Sequence, residues 1–414
     1  MVVTGGTQLN GEVVTSGAKN SALKVLFSTI LADGTHRFEN VPGLKDIEST
    51  SQLLASLGIE TQRQGKDFLV HSKPLKNLEA SYDLVRKMRA SILCLGPMLA
   101  KYGEAVVSLP GGCAIGSRPI DLHIEGMKAL GAEIELKEGY VHAKAKKLQG
   151  TTFLFENITV GGTENMMMAA SLAEGKTILE NAAKEPEIID LAEYLNKMGA
   201  KISGHGTSVI TIEGVEKLSA AEHRVMPDRI EAGTLLLAGA ITGGQVTVKS
   251  CVPQHLDSLI FKLKEAGYKL TTDDHSVTIY PLAQCEAVDI TTSPYPQFPT
   301  DLQAQFMALM CVANGTSVIS ETVFENRFMH VQELMRLGAD ITPKTRVAVV
   351  RGTPNGLTGA PVMATDLRAS ASLVLAGLVA KGDTTINRIY HLDRGYEKME
   401  EKLALLGAKI KRVL

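Results

Sequence analysis

The chain has 414 residues, of which 44% are apolar and 21% charged, and its formal net charge is -2 at pH 7. This length exceeds what one hydrophobic core usually supports, so it predicts two domains. The near-zero net charge excludes an overall basic surface for nucleic acid. No apolar run is long enough to span a bilayer.

The five cysteines are scattered and form no C-x-x-C pair; they are Cys94, Cys113, Cys251, Cys285 and Cys311. This usage favours a reducing compartment and argues against a disulfide framework or a zinc site. The segment "MVVTGGTQLNGEVV" has neither the basic nor the apolar region of a secretory signal peptide. We therefore expect a cytoplasmic protein without a bound metal.

Along the chain, one order of elements recurs six times. A Leu-Gly-Ala signal, or a near variant, returns about every 70 residues, and a glycine that opens a β-branched run precedes each one by about 24 residues. Each repeat predicts a buried apolar helix, a turn and a strand, an amphipathic helix that ends at the signal, and one or two further strands. The glycines of the signals are Gly58, Gly131, Gly199, Gly267, Gly338 and Gly407.

Three repeats make a domain of about 200 residues, so the division should fall between the third and the fourth repeat, near Arg224 to Pro227. We predict a first domain over 20–226 and a second over 1–19 plus 227–414. The second is discontinuous because the last repeat, which ends in "AKIKRVL", has no room for its last strand. The leading segment "LNGEVVTS" is expected to supply that strand.

Polar residues stand at the start of the apolar helices, in "SGAKNSAL", "RKMRASIL", "VGGTENMM", "MPDRIEAG", "PTDLQAQF" and "ATDLRASA". Helix capping would explain Thr300-Asp301 and Thr365-Asp366. The recurrence of charge favours a functional interpretation as well. Helix N-termini that converge on one cleft, with Arg and Lys side chains beside them, bind anions.

A presented thiol stands in "SLPGGCAIGSRPID", where Cys113 has glycines around it and Arg118 five residues on. A hydrolase built on this thiol would need a histidine partner, and no motif supplies one.

Charged groups also follow predicted strands in "SRPIDLH", "ENRFMH" and "NRIYHLDRGYE". We interpret their histidines as structural donors rather than bases.

Seven stretches together resemble the UDP-N-acetylglucosamine 1-carboxyvinyltransferases, also called UDP-N-acetylglucosamine enolpyruvyl transferases. They are "SGAKNSAL", "MRASI", "SLPGGCAIGSRPIDLH", "FPTDLQAQF", "ETVFENRFMHVQEL", "MATDLRAS" and "RIYHLDRGYE". The resemblance runs from Gly11 to Val413. It implies an α/β fold of two inside-out barrels built from six helix-strand repeats, with the active site in the cleft between them.

The resemblance also implies a reaction. The enolpyruvyl group of phosphoenolpyruvate moves to the 3-hydroxyl of UDP-N-acetylglucosamine by addition and elimination, and phosphate is released. This is the first committed step of peptidoglycan biosynthesis. It needs no cofactor, and its implied partners are the two substrates, with a monomer favoured.

The family pattern implies a role for each matching residue. The catalytic set is Cys113, Asp301, Lys19 and Arg394, with Asp301 as base at the sugar hydroxyl and Lys19, Arg118 and Arg394 on the phosphate side. Phosphoenolpyruvate contacts fall on Lys19, Asn20, Arg118, Arg327, Arg368 and Arg394. Contacts to the nucleotide sugar fall on Asn20, Arg89, Arg118, Pro119, Ile120, Asp121, Leu122, Asn157, Ile158, Thr159, Val160, Asp301 and Val323.

Cys113 is implied to donate a proton and to be able to carry phosphoenolpyruvate covalently from a lid loop of the first domain. Glycines let such a lid close and exclude water. Arg118 and nearby helix ends should lower the pKa of the thiol, whereas a proton donor must be protonated when it acts. Which proton goes where is therefore left open.

There are two alternative functions. One is transfer to a different acceptor, such as a phosphorylated ring acid, and the other is that of a catalytically silent paralogue that binds the nucleotide sugar and regulates the pathway. An inactive paralogue is disfavoured because the chain retains all four implied catalytic residues, Cys113, Asp301, Lys19 and Arg394. The chain departs from the common family pattern at Ser21, Lys24, Gly162, Tyr295 and Gln297.

Overall fold

The structure is a computed structural model and describes residues 1–85, 88–109, 120–353 and 356–413, without the side chain of Arg89. The first 16 residues hold β1 (Val2–Thr4) and β2 (Gly11–Val14). The first repeat contains α1 (Lys19–Ser28), β3 (Gly34–Glu39), α2 (Lys45–Leu57), β4 (Glu60–Gln64) and β5 (Asp67–Ser72). A 3-10 turn at Thr29–Leu31 extends α1.

The second and third repeats continue the pattern. The second contains β6 (Glu79–Ala80), α3 (Tyr82–Val85), a 3-10 helix (Arg89–Cys94), α4 (Leu95–Tyr102), β7 (Glu104–Ser108), α5 (Asp121–Ala129), β8 (Glu133–Lys137) and β9 (Tyr140–Lys144). The third contains β10 (Thr152–Leu154), α6 (Val160–Ala170), β11 (Lys176–Glu180), α7 (Pro186–Lys197), β12 (Lys201–Ser203) and β13 (Val209–Glu213), and β14 (Glu222–Arg224) follows it.

The other three repeats have the same order. The fourth contains α8 (Arg229–Thr242), β15 (Val246–Lys249), a 3-10 helix (Pro253–Leu256), α9 (Asp257–Glu265), β16 (Leu270–Thr272) and β17 (Ser276–Ile279). The fifth contains β18 (Ile290–Thr291), a 3-10 turn (Thr300–Leu302), α10 (Gln303–Met310), β19 (Thr316–Ser320), α11 (His330–Arg336), β20 (Asp340–Pro343) and β21 (Val347–Arg351). The sixth contains β22 (Pro361–Met363), α12 (Leu367–Val379), β23 (Asp383–Asn387), a 3-10 helix (Ile389–Arg394), α13 (Met399–Leu405) and β24 (Lys409–Lys411).

The repeated Leu-Gly signal ends the amphipathic helices through a left-handed glycine. Gly58 closes α2 at φ 100°, and its amide donates to the carbonyl of Ala55 at 3.0 Å. A residue with a Cβ is strained at this φ, which explains why glycine returns at each signal. The counterparts Gly131, Gly199, Gly267, Gly338 and Gly407 also have positive φ.

The strands form six four-stranded sheets, one for each repeat. In the order β6-β7-β9-β8, the edge strand β6 is parallel to β7 and the other neighbours are antiparallel. The same arrangement recurs in β10-β11-β13-β12 and β18-β19-β21-β20. The predicted α/β class with six repeats is therefore confirmed.

Two sheets take their edge strand from a distant part of the chain. β14 lies parallel to β3 of the first repeat, and β2 lies parallel to β15 of the fourth. β1 completes the sixth sheet between β23 and β24. The prediction that "LNGEVVTS" supplies the last strand of the sixth repeat is therefore wrong: Val2–Thr4 does so, and Gly11–Val14 serves the fourth repeat.

The chain forms two compact units. The contiguous unit comprises the described residues of 17–226, and the discontinuous unit comprises 1–16 with 227–413. The sequence prediction placed the first boundary after residue 19, so that Lys19 fell in the other domain. In the structure Lys19 belongs to the contiguous unit.

The predicted apolar helices fill the interior of each unit. α1, α4 and α6 lie in the core of the contiguous unit, and α8, α10 and α12 pack against one another in the discontinuous one. The three consecutive methionines of α6, at 166–168, are fully buried, as expected for core residues. Within the described ranges, no helix has the length and apolar character needed to cross a bilayer.

The departures at Ser21 and Lys24 place polar groups of α1 inside the contiguous unit. The hydroxyl of Ser21 donates a short hydrogen bond to Asp190 of α7. The ammonium of Lys24 lies 3.2 Å from a carboxylate oxygen of Glu164 in α6. Both substituted side chains therefore meet buried carboxyl groups.

Candidate functional site

The predicted base Asp301 lies between two guanidinium groups of the discontinuous unit. Its Oδ1 accepts from Nη2 of Arg327 at 2.7 Å, and its Oδ2 accepts from Nη2 of Arg368 at 2.9 Å. The arginine side chains are 6% and 4% exposed, whereas a quarter of the Asp301 side chain reaches solvent. The structure thus brings together three predicted site residues from three segments of the chain.

Electrostatics fixes the charge of this carboxyl group. Burial opposes ionisation of Asp301, but the guanidinium groups of Arg368 and Arg327 outweigh it and hold the pKa of the carboxyl well below its usual range. Burial likewise disfavours the charged form of Arg368, yet Asp301 raises the pKa of that guanidinium. The group is therefore a carboxylate beside two cations, an arrangement that suits a bound anion.

Helix capping explains Asp366 but not Asp301. Oδ1 of Asp366 accepts from the amides of Arg368 and Ala369 at the start of α12. Pro299 precedes the turn that contains Asp301, and no side chain caps that turn. Of the two capping hypotheses, the one for Asp366 is confirmed and the one for Asp301 is wrong.

A second layer holds the Asp301 segment and Arg368. Nε2 of Gln305 lies 2.9 Å from the carbonyl of Asp301, 2.8 Å from the hydroxyl of Tyr396 and 3.2 Å from that of Thr234. The Arg368 guanidinium lies over the Tyr396 ring at 5.3 Å from its centroid, in cation-π contact. Gln305, Tyr396 and Thr234 were not predicted as site residues, because in the sequence they resemble ordinary helix and turn residues.

Arg394 ends the 3-10 helix Ile389–Arg394 in the same unit and is partly buried. The preceding Asp393 accepts from Nη1 of Arg412 at 3.0 Å, and Arg412 also pairs with Glu400. Arg412, which follows β24, therefore holds the end of this helix through Asp393, the residue before Arg394, which is predicted to bind phosphate.

In the contiguous unit, the predicted catalytic lysine has a carboxylate partner. Lys19 begins α1, and its Nζ lies 3.2 Å from Oδ2 of Asp46 in the first turn of α2. Both residues are buried, at 9% and 3% exposure. The pair fixes the position of the ammonium, and Asp46 was not found from the sequence because it reads as an ordinary first-turn acid.

The predicted sugar contacts 157–160 lie at the start of α6. The hydroxyl of Thr159 accepts from the amide of Gly162 at 3.2 Å, which caps the helix. A Cβ on Gly162 would lie 2.4 Å from Cγ2 of Thr159, so glycine suits this cap where the family commonly has alanine. Ile158 is exposed.

The other predicted sites are placed in part. Ile120 is buried and precedes α5, Asp121 begins that helix, and Leu122 follows in its first turn. Asn20 lies in the first turn of α1 and is partly buried. Outside the described residues lie Cys113, Arg118, Pro119 and the side chain of Arg89.

Comparison with known proteins identifies the class. The family model of EPSP synthase (3-phosphoshikimate 1-carboxyvinyltransferase) matches residues 3–403. The structure superposes on the enolpyruvyl transferase NikO from Streptomyces tendae with a TM-score of 0.89 at 27% identity, covering 99% of this chain and 98% of that one. EPSP synthase from Acinetobacter baumannii shares the fold, with a TM-score of 0.77 at 19% identity and 99% coverage of both. The chain therefore belongs to the EPSP synthase (3-phosphoshikimate 1-carboxyvinyltransferase) family and is an enolpyruvyl transferase.

The particular branch follows from sequence relatives. A UDP-N-acetylglucosamine 1-carboxyvinyltransferase from Bdellovibrio bacteriovorus is 73% identical over 413 residues, covering 100% of both chains. Those from Geobacter metallireducens and Myxococcus xanthus are each 58% identical, covering 100% of this chain and 99% of the relative. The predicted resemblance to this branch is confirmed.

Proposed function

We propose that the protein transfers the enolpyruvyl group of phosphoenolpyruvate to the 3-hydroxyl of UDP-N-acetylglucosamine and releases phosphate, the first committed step of peptidoglycan biosynthesis. The observation that carries the chemistry is Asp301 between the guanidinium groups of Arg327 and Arg368. Family membership with full-length coverage supports the two substrates.

The reaction divides into an addition and an elimination. A proton adds to the methylene of phosphoenolpyruvate, the sugar oxygen bonds to C2, and the sugar hydroxyl gives its proton to a base. The tetrahedral ketal then loses a methyl proton as its C–O bond to phosphate breaks. The products are the enolpyruvyl ether and phosphate, which carries the proton that the sugar gave up. The site must therefore supply an acid, a base and cations.

Asp301 is proposed as the base at the sugar hydroxyl. Paired with two guanidinium groups, its carboxylate is a weak base because its pKa lies well below the usual range. Phosphoenolpyruvate bound through Arg327 and Arg368 would share their positive charge. The pKa of Asp301 would then rise, so that the base gains strength when the substrate is in place.

The remaining roles are proposals from the family pattern. Lys19, Arg118 and Arg394 hold the phosphate side, and Lys19 also serves in proton transfer. Asn20 contacts phosphoenolpyruvate and the nucleotide sugar, and Arg89, 118–122, 157–160 and Val323 complete the sugar site. The two-domain boundaries, the cleft between the domains, a cytoplasmic location and a monomer remain predictions. Free thiols at the four described cysteines suit a reducing compartment.

Cys113 is proposed as a proton donor rather than an obligatory nucleophile. An aspartate supplies a titrating proton but no sulfur, whereas a serine hydroxyl is too weak an acid near neutral pH. We expect Cys113→Asp to retain turnover with a lower pH optimum and Cys113→Ser to be far slower. If both variants are inactive from about pH 5 to 9, a sulfur-specific step is required and the proton-donor role fails.

Phosphate release tests the function as a whole. Purified protein with phosphoenolpyruvate should release phosphate only when UDP-N-acetylglucosamine is added. Shikimate 3-phosphate serves as the competing acceptor. Turnover with shikimate 3-phosphate, and none with the nucleotide sugar, would reject the proposed function.

A further inference from the structure

Glu321 is the first residue of the stretch "ETVFENRFMHVQEL", and the sequence assigned it no role. It follows β19 in the discontinuous unit and is 1% exposed. Its Oε1 accepts from the hydroxyl of Thr292 at 2.8 Å. The same oxygen accepts from the amides of Val323 and Phe324 at 2.8 and 3.1 Å. Its Oε2 accepts from the hydroxyl of Thr300 at 2.8 Å. All four bonds need an acceptor, which an ionised carboxylate provides at both oxygens.

The Thr300 hydroxyl connects Glu321 to the Asp301 pair. It donates its one proton to Glu321, which leaves a lone pair to accept from Nη1 of Arg327 at 2.7 Å. The other arm of Arg327, Nη2, binds Asp301. Because a hydroxyl has a single proton, the acceptor at Glu321 fixes which way Thr300 faces, and thereby orients the guanidinium that holds Asp301.

Glu321 also fixes the backbone at Val323. The amides of Val323 and Phe324 both point at its Oε1, which closes the turn after β19. Such charge-assisted bonds are shorter and stronger than neutral ones. One carboxylate therefore holds the turn that contains Val323 and, through Thr300, the arginine beside Asp301.

We propose that Glu321 is a positioning residue that couples the nucleotide-sugar contact at Val323 to the Asp301–Arg327 pair through Thr300. It acts through these groups and does not need to touch either substrate. This inference rests on the proposed function, which assigns Val323 to the sugar and Asp301 to its hydroxyl. Small displacements of reacting groups cost up to about a hundredfold in rate, so the coupling should be measurable.

Glu321→Gln keeps the shape but replaces one acceptor oxygen with an amide donor. We expect kcat to fall about ten- to a hundredfold and KM for UDP-N-acetylglucosamine to rise several-fold, since both connections are weakened. The matched control is Glu333→Gln, which changes a carboxylate of the same unit that accepts from the Met363 amide at 3.0 Å. The control should keep both constants.

Substitutions at Thr300 separate the two connections. Thr300→Val removes the hydroxyl but leaves the amide bonds at Val323, so kcat should fall while KM for the nucleotide sugar stays unchanged. Thr300→Ser keeps the hydroxyl and should restore kcat. In the double variant of Glu321→Gln and Thr300→Val, kcat should be no lower than about that of the slower single variant. Both changes break the same connection, which runs from Glu321 through the Thr300 hydroxyl to Arg327.

Wild-type kinetics in Glu321→Gln, or multiplied losses in the double variant, would overturn the positioning role. If Glu321→Gln does not fold, the comparison of Thr300→Val with Thr300→Ser decides: equal kcat values in these two variants reject the proposal. Should the wild type use a different acceptor, the proposed function fails. The same variants assayed with that acceptor then still test the coupling of Thr300 to Asp301.

Discussion

Two carboxyl groups, the partly buried Asp301 in one unit and the fully buried Glu164 in the other, have different charge states at neutral pH. Asp301 has two guanidinium partners, which hold its pKa well below the usual range although burial opposes ionisation. Glu164 is fully buried with one ammonium, Lys24, at 3.2 Å. Burial raises the pKa of Glu164 to about 7, Lys24 opposes the rise, and the negative charges of Glu187 and Glu185 add to it.

The comparison teaches that the charges around a carboxyl group decide its ionisation, and burial alone does not. Asp301 remains charged at neutral pH because two cations converge on it. Glu164 is close to half-protonated there because one cation does not offset burial and two neighbouring acids. The first arrangement suits substrate chemistry, whereas the second belongs to the interior between α1 and α6.

The largest expected effect tests the chemical role of Asp301. Asp301→Asn keeps the shape but removes the base, so turnover should drop at least about a hundredfold. Binding of UDP-N-acetylglucosamine should change less than about tenfold, since the amide still accepts hydrogen bonds. Phosphate release and calorimetric titration measure the two quantities.

Glu164→Gln is the matched control for that prediction. It changes a buried carboxyl group of the other unit to an amide and should leave turnover within about twofold. Near-native turnover in Asp301→Asn, or an equal loss in both variants, would remove the functional distinction between the two carboxyl groups.

The second prediction concerns pH and the stability of the contiguous unit. The folded pKa of Glu164, about 7, lies above the ordinary value of 4.5. As pH rises between these values the unfolded chain ionises first, so the folded state loses stability. Between pH 5 and pH 7 this costs about 2 kcal/mol. Glu164→Gln cannot ionise and should gain that amount relative to the wild type.

Thermal unfolding of both proteins across this range measures the difference. The stability gap between Glu164→Gln and the wild type should shift in favour of the variant as pH rises. A gap that does not change with pH would mean that Glu164 ionises in the fold as readily as in the unfolded chain.

The smallest expected effect concerns the second layer around Asp301. Tyr396→Phe keeps the ring under Arg368 but removes the hydroxyl that Gln305 contacts. We expect KM for phosphoenolpyruvate to rise about threefold, with binding of the nucleotide sugar unchanged, since only neutral hydrogen bonds, to Gln305 and Thr234, are lost. A loss as large as that of Asp301→Asn would make Tyr396 part of the chemistry rather than its support.

Much of the fold could be predicted because each repeat is marked by patterns of neighbouring residues in the sequence. The left-handed glycines, such as Gly58, and the apolar helices mark all six repeats. The strand at Val2–Thr4 was missed because three residues leave too little pattern. Strand pairing between the two ends of the chain also has no local signal. The sequence therefore did not show that Val2–Thr4, rather than Gly11–Val14, completes the sixth sheet.

The candidate site was predictable where charge stands out in a motif. Asp301, Arg327 and Arg368 were found in this way, and the structure brings them into direct contact. Glu321 and Asp46 were missed because an acid after a strand or in a first helical turn is usually a surface residue. Their importance arises from tertiary contacts that no spacing along the chain encodes.

The pairing of the first strand with the last repeat has a consequence for the order of folding during synthesis. The contiguous unit ends with its own edge strand β14, so every described strand of its three sheets has been made once residue 226 has emerged. β1 must wait much longer, because Val2 pairs with Thr385 and Lys411. Domains usually fold as units from the N-terminus. Here the first strand made is among the last to find its partners, because the sheets of residues 17–226 can be completed long before the partners of Val2–Thr4 have been made.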